Sequence, residues 1–380
     1  MVMGYYPGYP IGDKTKGEFL LYFNHFKINK IMAEILKQTL GVDVDCKNLV
    51  VTLGRISRDW EVELYAYKVF KNTPNGFLQC KSWFEKLIDS ETKFQVVMEA
   101  TGVYHEKFAY FLFDNKIDTA IVLPNKISNY KKTLDQKTIN DKSMSEAIAQ
   151  FGLERNIDTW VKPDANYRKI RQLTREREQI LDEKTVIKNQ IHAENSEAFP
   201  SEAAKKRFQE RLELLQKQEK EIMNEINSIV ESQPEIKEKV GYITSIPGFG
   251  FLSAVIILGE TNGFELIRNK KQLVSFAGLD VKEKQSGSSV KCKSKISKRG
   301  NKYLRKAMYF PAFTAIKHNE NFKNIHLRLV TKHGISKKAA VAVQRKMLEL
   351  SWVLVNTKTK FDKEYEIKKN RAEQINVVAL

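Results

Sequence analysis

Apolar and polar positions alternate in three short runs near the start of the chain: GVDVD at 41–45, NLVVTLGRIS at 48–57 and VELYAYKVF at 62–70. A period of two is typical of strands with one buried face. The elements predicted after them are a helix from Pro74, a strand at 94–100, a helix near 105–113, a strand at 119–124 and helices from Lys126 onward. This order predicts a mixed sheet with helices on its faces.

The apolar spacing between residues 165 and 231 changes to that of long helices. Apolar residues recur at intervals of three, four or seven at Leu173, Ile180, Ile187, Leu212, Leu215, Ile222, Ile226 and Ile229. Glu219 is the one exception in this series, and Pro200 interrupts it. The pattern predicts a helical hairpin or coiled coil that ends at Pro234, and a projecting hairpin of this kind often serves dimerisation.

A Pro-Gly turn opens the third region, in the run SIPGFGFLSAVIILGE. Gly248 and Gly250 suit a turn whose backbone amides face a nucleic-acid phosphate, as in helix-hairpin-helix modules. A simple turn before a buried helix explains the same residues, and the sequence leaves both interpretations open.

The net charge indicates a polyanionic partner. The 380 residues include 64 Lys and Arg against 46 Asp and Glu, a formal charge of +18, so nucleic acid is the first partner to test. The three cysteines have neither disulfide nor zinc-site spacing. No apolar run approaches the roughly 18 residues of a membrane span and no signal peptide is visible, so we expect a prokaryotic cytoplasmic, nucleoid-associated protein of two or three domains.

Three acids fall where a sheet gathers polar side chains. Asp43 lies in the first predicted strand on the face opposite Val42 and Val44, Glu99 ends the strand FQVVMEA, and Asp141 opens a helix. Converging carboxylates would hold one or two Mg²⁺ or Mn²⁺ ions, because hard cations prefer oxygen ligands. Taken singly, each acid also suits an ordinary role at a turn, a solvated strand end or a helix start.

A basic segment surrounds a short serine-glycine stretch. Between Lys282 and Lys306 there are ten Lys or Arg residues and one acid, Glu283. We predict a flexible loop at 285–289, for which a plain linker is the alternative. The residues predicted to contact nucleic acid are Lys291, Lys293, Lys295, Lys298, Arg299, Lys302, Arg305, Gly248 and Gly250.

These motifs resemble, in this order, those of DEDD-class insertion-sequence transposases, which are relatives of Piv-type DNA invertases. The resemblance rests on GVDVDCKN, VVMEATGVYHEKF, KTINDKSMSEAIAQFGLER, SIPGFGFLSAVIILGE, LVSFAGL, KQSGSS and SKRGNKYLRKAMY, within about residues 40 to 330. It implies an α/β RNase H-like (RuvC-like) domain, a long helical hairpin or coiled coil, and a mainly α-helical C-terminal domain. The implied boundaries are an extension at 1–38, domains at 39–160, 161–236 and 237–360, and a tail at 361–380.

The resemblance also implies catalytic roles. Asp43, Glu99 and Asp141 fill the first three positions of the acidic, metal-binding motif, and the nucleophilic serine aligns with Ser286, with Ser288 as the fallback. Lys291, Arg299 and Arg305 are candidates for stabilising the charge of the reacting phosphate.

The fourth acidic position departs from the family pattern, because it holds Met144. A thioether does not bind Mg²⁺ usefully. Water or Ser145 is the expected replacement, since Ser145 lies about 40° from Asp141 around a helix, whereas Glu146 is about 140° away.

The sequence therefore predicts a serine-dependent, metal-assisted DNA transposase or site-specific recombinase. The resemblance further implies a structured guide RNA and a homo-oligomer, either a dimer or a tetramer. Two alternatives are a RuvC-like metal-dependent nuclease in which water attacks, and a catalytically silent nucleic-acid-binding protein.

Overall fold

The computed structural model describes residues 34–100, 102–134, 140–282, 285–286, 290–291 and 295–365. The chain divides into two compact units, Met1–Lys162 and Pro163–Leu380.

The first unit is built on a five-stranded sheet. Its strands are β1 (Ile35–Val44), β2 (Asn48–Ser57), β3 (Val62–Lys71), β4 (Phe94–Glu99) and β5 (Thr119–Val122). They lie in the order β3-β2-β1-β4-β5; β1 to β3 form an antiparallel meander, and β4 and β5 add in parallel. Its helices are α1 (Pro74–Phe84), α2 (Glu106–Asp114), α3 (Pro124–Lys131) and α4 (Asp141–Glu154). This topology is RNase H-like, and the predicted fold class is confirmed.

Both faces of the sheet are covered, because alternate residues of the central strands point to opposite sides. Leu40, Val42 and Met98 are fully buried in a cluster that includes residues of α1 and α2. Val97 points the other way and belongs to a second cluster with Ile148 of α4. Helices therefore pack against the sheet from both sides.

The strand β1 begins at Ile35, inside the segment that we predicted as an N-terminal extension to residue 38. Two buried polar residues, Gln38 and Thr39, interrupt the apolar alternation and hid this part of the strand. The structure satisfies Gln38 locally, since its side-chain amide donates to the carbonyl of Asp89 at 2.8 Å and accepts from the Asp89 N–H at 3.0 Å.

The helix α4 lies directly on β1, and two glycines permit this contact. A Cβ at Gly41 would come within 2.2 Å of the backbone N of Ala149 and 2.4 Å of the carbonyl O of Ser145. A Cβ at Gly152 would come within 2.5 Å of Cγ2 of Thr39. Any side chain at Gly41 must therefore push α4 away from the sheet.

The second unit is mainly helical. The long helices α5 (Ala165–Ser196) and α6 (Glu202–Ser232) pack along each other and are followed by α7 (Pro234–Thr244), α8 (Phe251–Thr261), α9 (Lys270–Phe276), α10 (Lys302–Ala307), α11 (Tyr309–His318), α12 (Glu320–His333) and α13 (Ser336–Thr357). One hydrophobic core runs from the α5–α6 seam into the later helices. The predicted helical hairpin and helical C-terminal region are confirmed. No described helix is long and apolar enough to cross a membrane.

Glu219, the exception in the apolar series, lies in the seam between α5 and α6 with two cations. Its carboxylate accepts from Nη2 of Arg177 and Nζ of Lys184, each at 2.6 Å, and the three side chains are only 14–19% exposed. Burial opposes ionisation, but the hydrogen bonds and charges of Lys184 and Arg177 hold the pKa of Glu219 below its ordinary value. Glu219 is therefore a polar link between the helices.

We predict that Glu219→Leu lowers the free energy of unfolding by about 2–3 kcal/mol, because two largely buried cations lose their partner. Replacing all three residues, as Arg177→Met/Lys184→Met/Glu219→Leu, should restore most of that loss. Because the pKa of folded Glu219 is depressed, its contribution is present above the pKa of an unfolded Glu and is lost as the pH falls through the folded value.

Urea denaturation of each variant at neutral and acidic pH measures these effects. Glu221→Ala is the matched control, since Glu221 is 62% exposed and lies 3.9 Å from Lys217; we expect it to change stability by less than about 0.5 kcal/mol. Equal effects of the Glu219 and Glu221 variants would contradict the prediction.

Candidate active site and nucleic-acid interface

The acids Asp43 and Glu99 lie side by side at one edge of the sheet. The parallel register pairs Val42 with Met98, so the next pair along β1 and β4 is Asp43 and Glu99. Both are half-buried and lie on the face of the sheet that α4 covers. The convergence of these two predicted residues follows from parallel strand pairing.

The third acid, Asp141, is the first residue of α4. Asn140 begins this helix with a capping box, in which its side chain accepts from the Ser143 N–H and the Ser143 hydroxyl accepts from the Asn140 N–H. Because α4 lies on β1 at Gly41, its N-terminal end comes near Asp43. The charges of Asp141 and Asp43 accordingly interact.

The charges of these acids disfavour one another. Burial, and to a lesser extent the charges of Asp141, Glu99 and Asp45, together raise the pKa of Asp43 to about 6, against one backbone hydrogen bond that lowers it. Asp45 itself has a different role. It is exposed, and its carboxylate accepts from the N–H groups of Lys47 and Asn48 in the β1–β2 turn.

The three acids are near one another without forming a compact ligand cage. Among the described residues, no three His, Cys, Asp or Glu side chains are grouped closely enough to hold a metal ion. The arrangement is therefore an acidic edge of mutually repelling carboxylates, with hard oxygen donors of the type that Mg²⁺ and Mn²⁺ bind.

The position of the missing fourth acid faces a lysine. Sδ of Met144 lies 3.2 Å from Nζ of Lys131, a buried residue that also donates to the Ser143 hydroxyl at 2.9 Å. Ser145, our expected replacement ligand, is instead fully buried, and its hydroxyl is 2.7 Å from that of Thr52. The helix uses Ser145 to attach to β2, because a buried hydroxyl needs a partner.

Ser286 lies in a β-hairpin of the second unit. The strands β6 (Val281–Lys282) and β9 (Lys295–Ile296) pair, as do β7 (Gln285–Ser286) and β8 (Val290–Lys291), both antiparallel. Ser286 is paired with Val290. Our predicted flexible loop at 285–289 is thus wrong for Gln285 and Ser286, whose backbones join a ladder. Ser288 and Lys293 lie outside the described residues.

A basic turn follows directly after β9. Lys298 and Arg299 are exposed, and the turn ends at Asn301, whose N–H donates to the carbonyl of Phe276 at 2.7 Å. The Asn301 side chain caps α10 and also donates to Glu260 at 2.6 Å. Backbone and side-chain bonds therefore hold this turn in one shape.

Glu260 was missed by sequence reasoning, although a lone acid in the apolar run FLSAVIILGE is a visible signal. Its side chain is 1% exposed and receives two hydrogen bonds from Arg175, at 2.7 and 2.8 Å. Arg175 also lies over the Tyr303 ring, 4.6 Å from its centroid. This bidentate pair, in which only Glu260 is buried, joins α5 to α8 and, through Asn301, to the basic turn.

The predicted nucleic-acid residues differ in what their side chains contact. Lys295, Lys298, Arg299 and Lys302 are exposed. Nη1 of Arg305, in contrast, donates to the carbonyls of Ala277, Gly300 and Asn301 at 2.9, 3.1 and 3.3 Å. Arg305 therefore shapes the turn. Only the backbone of Lys291 is described, opposite Gln285.

The two glycines of the Pro-Gly turn also differ. Gly248 has a φ of +100°, and a Cβ there would come within 2.3 Å of the carbonyl O of Pro311 in α11. Gly250 is exposed, begins α8 without a side-chain cap, and has open space around it. Gly248 thus serves close packing, and Gly250 is the one with room for a ligand.

Comparison with known proteins gives matches along most of the chain. The model of the IS116/IS110/IS902 family of transposases matches residues 241–327, and the model of DEDD transposases of IS110 type matches residues 41–200. The pilin gene-inverting protein of Moraxella lacunata is 26% identical over 298 residues, which are 77% of this chain and 90% of that protein. The transposase for insertion sequence element IS1111A of Coxiella burnetii is 25% identical over 287 residues, covering 68% and 77%.

Among solved structures, T. thermophilus RuvC in complex with a Holliday junction substrate matches 32% of this chain and 99% of its own, with 11% identity and a TM-score of 0.25.

An RNase H-like sheet with an acidic edge, followed by a basic helical unit, defines a DEDD-class DNA recombinase. The two family models together match more than half of the chain. The chain belongs to the IS110 family of insertion-sequence transposases.

We predict that Asp43→Asn stabilises the metal-free protein at neutral pH. Because the pKa of folded Asp43 is about 6, above its unfolded value, the wild type loses stability as the pH rises through 6 and the neutral amide does not. The expected gain is about 1–2 kcal/mol at about pH 8 and near zero at about pH 4.

Urea denaturation with a chelator present measures this gain. Asp45→Asn is the control, because Asp45 is exposed and accepts two backbone hydrogen bonds; it should bring no gain at either pH. A gain for Asp43→Asn that does not depend on pH would count against repulsion as the cause.

Proposed function

We propose that this transposase cuts and rejoins insertion-sequence DNA through the hydroxyl of Ser286. Oγ of Ser286 attacks a DNA phosphorus and forms a P–Oγ bond, the P–O bond to one deoxyribose breaks, and the leaving deoxyribose oxygen takes up a proton in exchange for the one that the serine hydroxyl loses to solvent. The product is a 5′- or 3′-phosphoserine link, which keeps the bond energy for rejoining. The supporting observation is that Ser286 is paired in the β7–β8 ladder, which lies in the chain between β6 and β9, and that β9 leads into the exposed basic turn.

The cations around this hairpin would stabilise the charge of the reacting phosphate. A serine hydroxyl is a weak nucleophile, and the reacting phosphate gathers negative charge. The exposed Lys298 and Arg299 follow β9 in the chain, and Arg305 holds their turn in shape. The proposed contacts with DNA phosphates are Lys291, Lys293, Lys295, Lys298, Arg299, Lys302 and the backbone at Gly250.

A divalent cation, Mg²⁺ or Mn²⁺, fits the acidic edge. Asp43, Glu99 and Asp141 would hold it, because carboxylate oxygens are the donors that these ions prefer and the strand register brings two of them together. When bound, such an ion supplies Lewis-acid polarisation of a phosphodiester oxygen. The acids themselves orient the site and keep it negative until the cation binds.

A structured guide RNA and a homo-oligomer belong to the same proposal. The formal charge of +18 leaves capacity for a second polyanion besides DNA. A dimer or tetramer would let Ser286 of one subunit act with the acids of another. Purifying the protein from its host and sequencing any bound RNA tests the first part.

We predict that Ser286→Ala abolishes the covalent protein–DNA adduct on an element end and lowers recombination by more than about 1,000-fold. Denaturing gels of labelled DNA measure both. Ser228→Ala, at an exposed hydroxyl of α6, is the control and should behave as wild type.

If only Ser288→Ala removes the adduct, Ser288 is the nucleophile. DNA that is cleaved without attached protein would favour a nuclease in which water attacks. DNA that is bound but not cleaved with any divalent metal would favour a catalytically silent binding protein.

We predict that Met144→Asp alone does not add a metal ligand. The new carboxylate would lie beside Nζ of Lys131, which is now 3.2 Å from the methionine sulfur, and would pair with it. The double variant Met144→Asp/Lys131→Met should bind more Mn²⁺ than the wild type. Mn²⁺ titration followed by electron paramagnetic resonance measures the stoichiometry. An extra ion bound by the single variant would contradict this role of Lys131.

A further inference from the structure

Two adjoining cavities form one groove along the helices α12 and α13. Their volumes are about 600 and 380 Å³, and both are lined by Leu329, Ala342 and Arg345. α12 ends at His333 and α13 begins at Ser336, so the groove follows a tight helical hairpin. We call this surface the α12–α13 groove.

Cations line both cavities of the α12–α13 groove, in the second of them among largely apolar side chains. Its basic side chains are Lys295, Arg328, His333, Lys337, Lys338, Arg345 and Lys346, and Glu349 is the one acid among the described lining residues. None of these cations forms an ion pair with an acid in the described part of the chain, whereas Arg175, Lys184 and Lys306 of the same unit do. Unpaired like charges gathered in a groove repel one another and attract an anion.

The spacing of the cations suits an extended anion. Lys338 and Lys346 are eight residues apart on α13, which is about 12 Å at 1.5 Å per residue. Arg345, which is next to Lys346 in the helix, contributes to both cavities. A single phosphate cannot reach all three, but successive phosphates of one strand can.

We infer that the α12–α13 groove binds the phosphodiester backbone of a nucleic acid. Contacts of this kind carry affinity and register, and they do not read bases. The groove also adjoins the β6–β9 ladder, because Val281 of β6 and Lys295 and Ile296 of β9 line it. Ser286 lies in the chain between these two strands, so a strand in the groove would pass the ladder from which the segment of Ser286 extends. This last step rests on the proposed function, whereas binding in the groove does not.

The test is Lys338→Gln/Lys346→Gln in the full chain, which removes two exposed cations, one from each cavity. Lys217→Gln/Lys323→Gln is the matched control: it removes the same charge from exposed lysines that pair with Glu221 and Glu320 and do not line the groove. Fluorescence anisotropy with duplex DNA and, separately, a structured RNA measures Kd at several salt concentrations, with a chelator present to prevent cleavage.

We expect the groove variant to bind at least one of the two nucleic acids roughly tenfold more weakly, with a salt slope reduced by about two. The control should keep the wild-type Kd and slope, and Arg345→Gln should weaken binding in the same direction. The nucleic acid whose binding is weakened identifies the ligand as DNA, RNA or both.

Unchanged binding of both nucleic acids by the groove variants would overturn the inference. Displacement of the bound nucleic acid by polyglutamate as effectively as by unlabelled nucleic acid would also overturn it. Covalent adduct formation by the groove variants at saturating DNA separates the two proposals. If the groove variants bind nucleic acid normally and Ser286→Ala loses the adduct, the proposed function is supported and the role of the groove is contradicted. If the groove variants bind nucleic acid more weakly and the wild type forms no adduct, the role of the groove is supported and the proposed function is contradicted.

Discussion

The contact between α4 and β1 at Gly41 is the constraint on which the acidic site depends. Backbone atoms of Ser145 and Ala149 occupy the space that a Cβ at Gly41 would need. Because the helix lies so close, its first residue, Asp141, comes near Asp43 at the end of β1. The same closeness buries Asp43 and raises its pKa. Close packing thus both assembles the carboxylates and makes their charges unfavourable, which favours binding of a cation at this edge.

The second unit separates paired charges from unpaired ones. Inside it, Glu219 and Glu260 each accept from cations and link helices, and these bonds compensate the cost of burial. On its surface, Lys298, Arg299 and the cations of the α12–α13 groove have no described acidic partner. The paired charges therefore hold the shape of the unit, and the unpaired ones remain available to a polyanion.

Local sequence patterns predicted the helices and strands well, but they predicted the residues that these elements contact only in part. Period-two alternation predicted the first three strands, and the apolar runs at 94–100 and 119–124 predicted the other two. The motif order pointed to Asp43, Glu99 and Asp141, and the parallel register places the first two side by side. The first residues of β1 were missed, since Gln38 is satisfied by Asp89 about fifty residues away. The packing role of Gly248 against Pro311 and the bond between Ser145 and Thr52 are likewise long-range contacts. No spacing within a single segment encodes them.

Met144 changes the acidic site in a second way besides the loss of one carboxylate ligand. A carboxylate there would have faced the buried Lys131, and the present thioether leaves that ammonium bonded to the Ser143 hydroxyl beside α4. Neither this ammonium nor the thioether can serve as a ligand for a second hard cation. Three carboxylates can still balance one divalent cation. For the cation proposed at Asp43, Glu99 and Asp141, the chemistry of the donor set therefore favours one ion over two.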